Sequence, residues 1–226
     1  MFEIRKEDYR AGDQVAAISV AEMREADRQT IEGGVPSKEL MRRAAQGVYE
    51  AAGDISQDKK TLIICGSGNN GGDGYALAEI MHGHGLDVTL LPVTEKFSED
   101  GRYYYERCMS DGVPLIELTD KDLSRVMFGE YDILVDCIFG TGFKGEPRGI
   151  SADVIRAVNV QRERGATVVS VDINSGMNGD TGEAVLAVGS DLTVSIGYFK
   201  HGFFRGRSGE LIGRLVNVDI GIRLRS

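Results

Sequence analysis

Three apolar runs, each leading straight into a glycine-rich segment, constrain this chain more than any other feature. They are "TLIIC" at 61–65, "DILVDCIF" at 132–139 and "ATVVSVDI" at 166–173. Near-continuous apolar strands are typical of parallel sheets covered on both faces. Two more strand candidates, "DVTLLP" at 87–92 and "PLIEL" at 114–118, alternate with helical stretches near 74–83, 99–111, 120–128 and 150–163. This rhythm predicts an α/β fold with a doubly wound, mostly parallel sheet.

Two helices precede the first strand. Ser19 to Glu22 spells a capping box, and Gly33-Gly34 stops the helix that follows. Ser37 opens a second, with Leu40, Ala44, Val48 and Ala52 on one stripe, for packing across the sheet or against a second subunit. The tail adds strands in "DLTVSIG" and "ELIGRLVNVDIGI". No linker or repeat interrupts the sequence, so residues 1–226 read as one domain.

Composition removes several function classes. A net charge of −9 disfavours nucleic-acid binding, and the best basic cluster, "KHGFFRGR" at 200–207, reads as a solvated hairpin. No segment has signal-peptide or membrane-spanning character, and Cys65, Cys108 and Cys137 are odd in number and widely spaced. Both point to a reducing cytoplasm and away from membranes. His82 and His84 would face apart on a helix, which argues against zinc. The 30 glycines, about twice the ~7% norm, gather in a few segments where backbone must turn sharply or approach a ligand.

Ligands of open parallel sheets bind beyond the carboxyl ends of the strands, where strand order reverses. With order 3-2-1-4-5, the three apolar strands lie side by side. Their continuations, "GSGNNGGDG", "CIFGTGFKGEPRG" and "INSGMNGDTGE", then wall one pocket. The first contains G-x-G-x-x-G at 66–71, but Pro92-Val93 stands where a ribose-binding acid belongs, and Glu95 comes late. Gly72-Asp73 replaces the Lys-Ser/Thr of a Walker loop. Asp73 either caps the helix or meets a hydroxyl or amide of the ligand.

Together "GSGNNGGDG", "VDCIFGTGFKGEPRG" and "VDINSGMNGDTGE" resemble the NAD(P)H-hydrate epimerase family, the YjeF N-terminal domain. The resemblance runs from "VAEMREADRQTIEGG" through "YFKHG" to "VNVDIGI"; Asn174 replaces a proline of the usual spelling. It implies a Rossmann-like three-layer αβα sandwich. It further implies interconversion of the R and S epimers of hydrated NADH and NADPH, with a separate ATP- or ADP-dependent dehydratase acting on the S form. That dehydratase is fused behind this domain in many bacteria and is not expected in a chain ending at Ser226. By the same resemblance Asn69, Asn70, Gly71, Gly72 and Asp73, then Gly140, Thr141, Gly142, Phe143, Lys144, Gly145 and Glu146, with Asp172, contact the substrate. Asn70, Asp136 and Ser175 match potassium ligands, one ion per subunit, and a homodimer is implied. One carboxylate, an amide and a hydroxyl suit a monovalent ion better than a divalent one; alone, Asp136 reads equally as a turn-stabilising carboxylate.

The C6 hydroxyl of such a substrate belongs to a hemiaminal. Protonated, it leaves as water while the ring nitrogen forms an iminium; water returning to either face gives both epimers. The reaction needs a carboxyl near C6, and Asp172, ending a buried strand where desolvation would favour its acid form, is the candidate. Lys144 either pairs with a phosphate or is an ordinary surface lysine. The competing readings are a non-catalytic binding module of this fold and a nicotinamide-dependent oxidoreductase, the latter disfavoured by the missing ribose acid.

Overall fold

The structure, a computed structural model, describes residues 2–4, 17–56, 58–118, 123 and 126–224. Strands β1 (Phe2–Ile4) and β2 (Ala17–Ile18) precede helices α1 (Val20–Glu32) and α2 (Ser37–Ser56). The alternating region holds β3 (Thr61–Cys65), α3 (Asn69–Gly83), β4 (Val88–Pro92), α4 (Glu99–Ser110), β5 (Ile133–Cys137), α5 (Gly149–Glu163) and β6 (Thr167–Val171). Then come β7 (Ser190–Ile196), β8 (Phe199–Lys200), the short α6 (Ser208–Leu211) and β9 (Ile212–Val218).

The main sheet has order β1-β9-β7-β6-β5-β3-β4, all pairs parallel except β1 with β9. The expected third strand at 114–118 is reduced to one parallel bridge between Leu115 and Leu90. Even so, it lies outside β4, so the 3-2-1-4-5 order stands and the reversal falls between β3 and β5. The expected helix at 120–128 lies mostly outside the described residues, and 128–130 form a 3-10 turn.

Side chains alternate across the sheet. Leu62 and Ile64 of β3 join Leu134 of β5 and Val154, Ile155 and Val158 of α5 in one core. Ile63 and Cys65 join Val135 and Cys137 with residues of α1 to α4 in the other. The runs are apolar throughout because helices cover both faces. α1 begins with the predicted capping box, Ser19 Oγ accepting from Glu22 N–H and Ser19 N–H donating to the Glu22 carboxylate. Leu40, Ala44 and Val48 of α2 are buried in the chain's own core beside α3 and β9, so this stripe is covered without a second subunit.

Candidate active site

The three strand-end segments meet, and the contact can be located at one residue. A Cβ added at Gly140, after β5, would sit 3.1 Å from Asp172 Oδ2, after β6, and 3.2 Å from Asn70 Cβ in α3. Gly66 is equally constrained: its Cβ would lie 1.9 Å from the Ile138 carbonyl oxygen, while its N–H donates to Cys137 O at 3.0 Å. Above this seam opens a cleft of about 550 Å³. Asn69, Asn70, Asp73, Gly140, Thr141, Gly142, Phe143 and Asp172 line it, joined by Arg24 and Asp27 of α1 and Met41 of α2.

Other expected contact residues lie outside the residues lining this cleft. Gly71 and Gly72 are buried packing positions: a Cβ on Gly71 would strike Gly66 O at 2.1 Å, and one on Gly72 would meet Met41 of α2 at 2.5 Å. Lys144, Gly145 and Glu146 are exposed and lie outside the cleft wall. Nor is Asp73 the helix cap. α3 starts earlier than the sequence suggests, with Gly68 as N-cap and Asn69 to Asp73 already in its first turns. The glycine pair did not break the helix because close approach to neighbouring elements favours glycine there over its poor intrinsic propensity.

Asp172 sits one residue past β6 with φ of 65°, a left-handed conformation uncommon outside glycine. Its Oδ1 accepts from Lys200 Nζ at 2.5 Å and its Oδ2 from Thr141 N–H at 3.2 Å. Lys200 is 0% exposed, and its ammonium also donates to Ser195 Oγ and the Ile196 carbonyl, so its three protons are matched. The "KHGFFRGR" stretch is therefore not a solvated hairpin. It is β8 and a 3-10 turn, with Lys200 and Phe203 wholly buried. The sequence offered one signal for Lys200, its place in "YFKHG", but no periodicity linked it to Asp172.

Asp172 is thus one half of an ion pair with the buried Lys200. The carboxyl pushed well above the ordinary range is Asp73, through burial first, then the like charges of Asp172 and Asp27, with Lys200 opposing. Burial also raises Asp27, with Asp172 and Asp100 adding to it. Asp73 accepts no hydrogen bond among the described residues.

Beneath the cleft floor lies a second polar cluster. Asp136, 0% exposed, accepts from Ser170 Oγ at 3.0 Å, from Ser175 N–H at 2.9 Å and from Ser175 Oγ at 2.5 Å. Phe139 N–H donates to Ser175 Oγ at 2.8 Å, and Asn70 Nδ2 donates to Phe139 O at 3.0 Å. Burial raises the Asp136 carboxyl, and its hydrogen bonds work against that rise. Asn70 Oδ1 is buried and has no hydrogen-bond partner among the described residues. Among the described residues no three His, Cys, Asp or Glu side chains gather as metal ligands.

The sequence profile described as "YjeF-related protein N-terminus" matches residues 37–202. The chain belongs to this family. The match takes in all three loops of the YjeF N-terminal cleft and ends two residues past Lys200. A protein of Limosilactobacillus fermentum named NAD(P)H-hydrate epimerase is 34% identical over 90% of this chain and 96% of its own length. A namesake in Lentilactobacillus buchneri is 34% identical over 91% and 94%. The "Bifunctional NAD(P)H-hydrate repair enzyme Nnr" of Thermofilum pendens is 34% identical over 87% of this chain but only 38% of its own. The crystal structure of yeast YNL200c shares the fold with a TM-score of 0.74 at 20% identity, over 88% of this chain and 86% of that one. Asn174, where the usual spelling has proline, is fully buried: its Nδ2 donates to Val188 O and Ser190 Oγ, and its Oδ1 accepts from Thr193 Oγ1. This departure from the YjeF N-terminal spelling is satisfied internally and leaves Asp172 and Ser175 in place.

Proposed function

We propose that this chain interconverts the R and S epimers of hydrated NADH and NADPH. Relatives spanning nearly their whole length carry the epimerase name. The observation that carries the chemistry is the meeting of Asp172, Asn70 and Gly140 at one point, with Asp73 on the same cleft wall. Pairs of acids whose surroundings drive them apart divide donor and acceptor roles. In this reading Asp73, whose carboxyl is pushed well above the ordinary range, is the proton donor, and Asp172, paired with Lys200 and Thr141, faces the developing charge.

In this mechanism Asp73 protonates the C6 hydroxyl. The C6–O bond breaks, water leaves, and the N1 lone pair forms the C6=N1 iminium, whose positive charge the Asp172 carboxylate stabilises. Water then adds to either face of C6 and returns its proton to Asp73. The Thr141 amide and the buried ammonium hold Asp172 in its left-handed geometry throughout. The donor set of Asn70 Oδ1, Asp136, Ser175 Oγ and Phe139 O is all hard oxygen with a single carboxylate, and one member lacks a partner, which fits a potassium ion. Bound there, the ion would supply positive charge behind the Phe139–Thr141 turn.

The wider reading follows the same support. The S epimer would pass to a dehydratase, in keeping with the bifunctional relative's name. No helix among the described residues is long and apolar enough to cross a membrane, and three free buried thiols suit a reducing cytoplasm. A homodimer rests on the family resemblance alone.

The test is chromatographic. The purified R epimer of hydrated NADH should approach the spontaneous R:S ratio far faster with protein than without, in potassium buffer. A trace matching the blank would refute the activity. Thermal unfolding should shift upward with potassium chloride and not with choline chloride; equal midpoints would remove the ion.

A further inference from the structure

A second, larger cleft of about 1,070 Å³ adjoins the first, and the reaction does not use it. Its floor is the carboxyl end of the sheet beyond β3 and β4, and one wall is the Leu115–Leu118 segment. Ser67 and Phe139 line both clefts, so the two meet at the reversal of strand order between β3 and β5. The substrates proposed above are dinucleotides. With C6 beside Asp172 in the 550 Å³ cleft, the shared Ser67 and Phe139 give the remainder of the molecule a path into the second. The side chains beyond that point suit a nucleoside. Phe97 and Tyr105, with ring centroids 4.7 Å apart, present an aromatic wall backed by Tyr75, and bases stack on such surfaces irrespective of their edges. Glu95 and Glu117 are acceptors for ribose hydroxyls. Lys96 is the one cationic side chain on this wall among the described residues, and its ammonium has no ion-pair partner among them.

We propose that this second cleft binds the adenosine half of the substrate, and that Lys96 reads the 2′-phosphate distinguishing the NADPH hydrate from the NADH hydrate. The proposal rests on the epimerase reading for its substrate and adds a site and a specificity residue to it. The chain dispenses with an acid at the end of β4, where Pro92 and Val93 stand, because Glu95 and Lys96 follow within the same wall. An acid beside a base lets one cleft accept both a bare ribose and a phosphorylated one.

Two measurements test it. Epimerisation of each hydrate is followed for the wild type, Lys96→Ala and Lys96→Glu. The ratio of kcat/KM for the NADPH hydrate to that for the NADH hydrate should fall about tenfold in Lys96→Glu, as expected for loss of one charge-assisted contact. Separately, adenosine 2′,5′-bisphosphate and AMP are titrated into the isotope-labelled protein. Both should shift the amides of Phe97, Tyr105 and Glu117, the bisphosphate binding more tightly except in Lys96→Ala. An unchanged ratio overturns the role of Lys96. Shifts confined to Gly140–Phe143 and Asp172, or none up to the solubility limit, overturn the adenosine site. Should the wild type epimerise neither hydrate, the epimerase reading falls while the nucleotide titration still decides the site.

Discussion

Asp73 and Asp172 occupy one cleft but opposite situations. Asp172 has an ammonium and an amide fixed on its carboxylate, whereas Asp73 is half-buried near like charges and has no hydrogen bond among the described residues. A carboxyl raised in the folded state contributes its share of stability below its unfolded value, near 3.8, and loses it as pH rises through the folded one. Asp73→Asn removes that loss. The variant should unfold at a higher temperature than wild type at pH 8, by about 2–4 °C per kcal/mol recovered, and the gain should vanish towards pH 4. Its turnover should fall at the same time, the trade expected of a functional group held at a cost to stability. Equal midpoints at pH 8 would mean that Asp73 is well solvated. Asp136, Asp172 and Asn70 could be singled out from sequence because they lie at the strand ends: Asp136 near the end of β5, Asp172 just past β6 and Asn70 in the first turn of α3 after β3. Lys200 could not, since its partner lies 28 residues away and nothing local distinguishes a buried lysine from an exposed one.

The strand-end turns show which glycines serve packing and which leave room. Gly66 faces backbone, so a methyl there must displace the Ile138 carbonyl; Gly68 has nothing within 4 Å of its would-be Cβ. Gly66→Ala should therefore destabilise by about 1–3 kcal/mol. Gly68→Ala meets no neighbour and should cost only the poorer N-cap, about 0.5–1 kcal/mol. Thermal or urea unfolding of the pair checks the contrast, and equal losses would refute the packing account. This distinction also explains why the start of α3 was misplaced from sequence. Four glycines between 66 and 72 read as a loop, yet Gly71 and Gly72 are helical residues pressed against Gly66, Met41 and Gly101. The apolar runs fared better because burial on both faces depends only on their own composition. The strand expected at 114–118 pairs through a single bridge at the sheet's edge.

Across the molecule, the doubly wound order gathers chemistry from distant sequence. Asn70, Asp136, Gly140, Asp172 and Ser175 meet because β3, β5 and β6 are adjacent, while α1 and α2, placed before the sheet, roof the cleft with Arg24, Asp27 and Met41. Nothing local forecasts that roof, since it depends on where α2 packs against α3 and β9. The proposed chemistry removes and restores the C6 oxygen through an iminium stabilised by Asp172. Asn tolerates left-handed backbone, so Asp172→Asn removes the charge without straining the turn. Wild type and Asp172→Asn are incubated with the R epimer of hydrated NADH in ¹⁸O-water, and both epimers are followed by mass spectrometry. ¹⁸O should enter C6 in step with R-to-S conversion, and the variant should slow both together by about 10²–10³-fold. Conversion without label, or a variant as fast as the wild type, would contradict this chemistry.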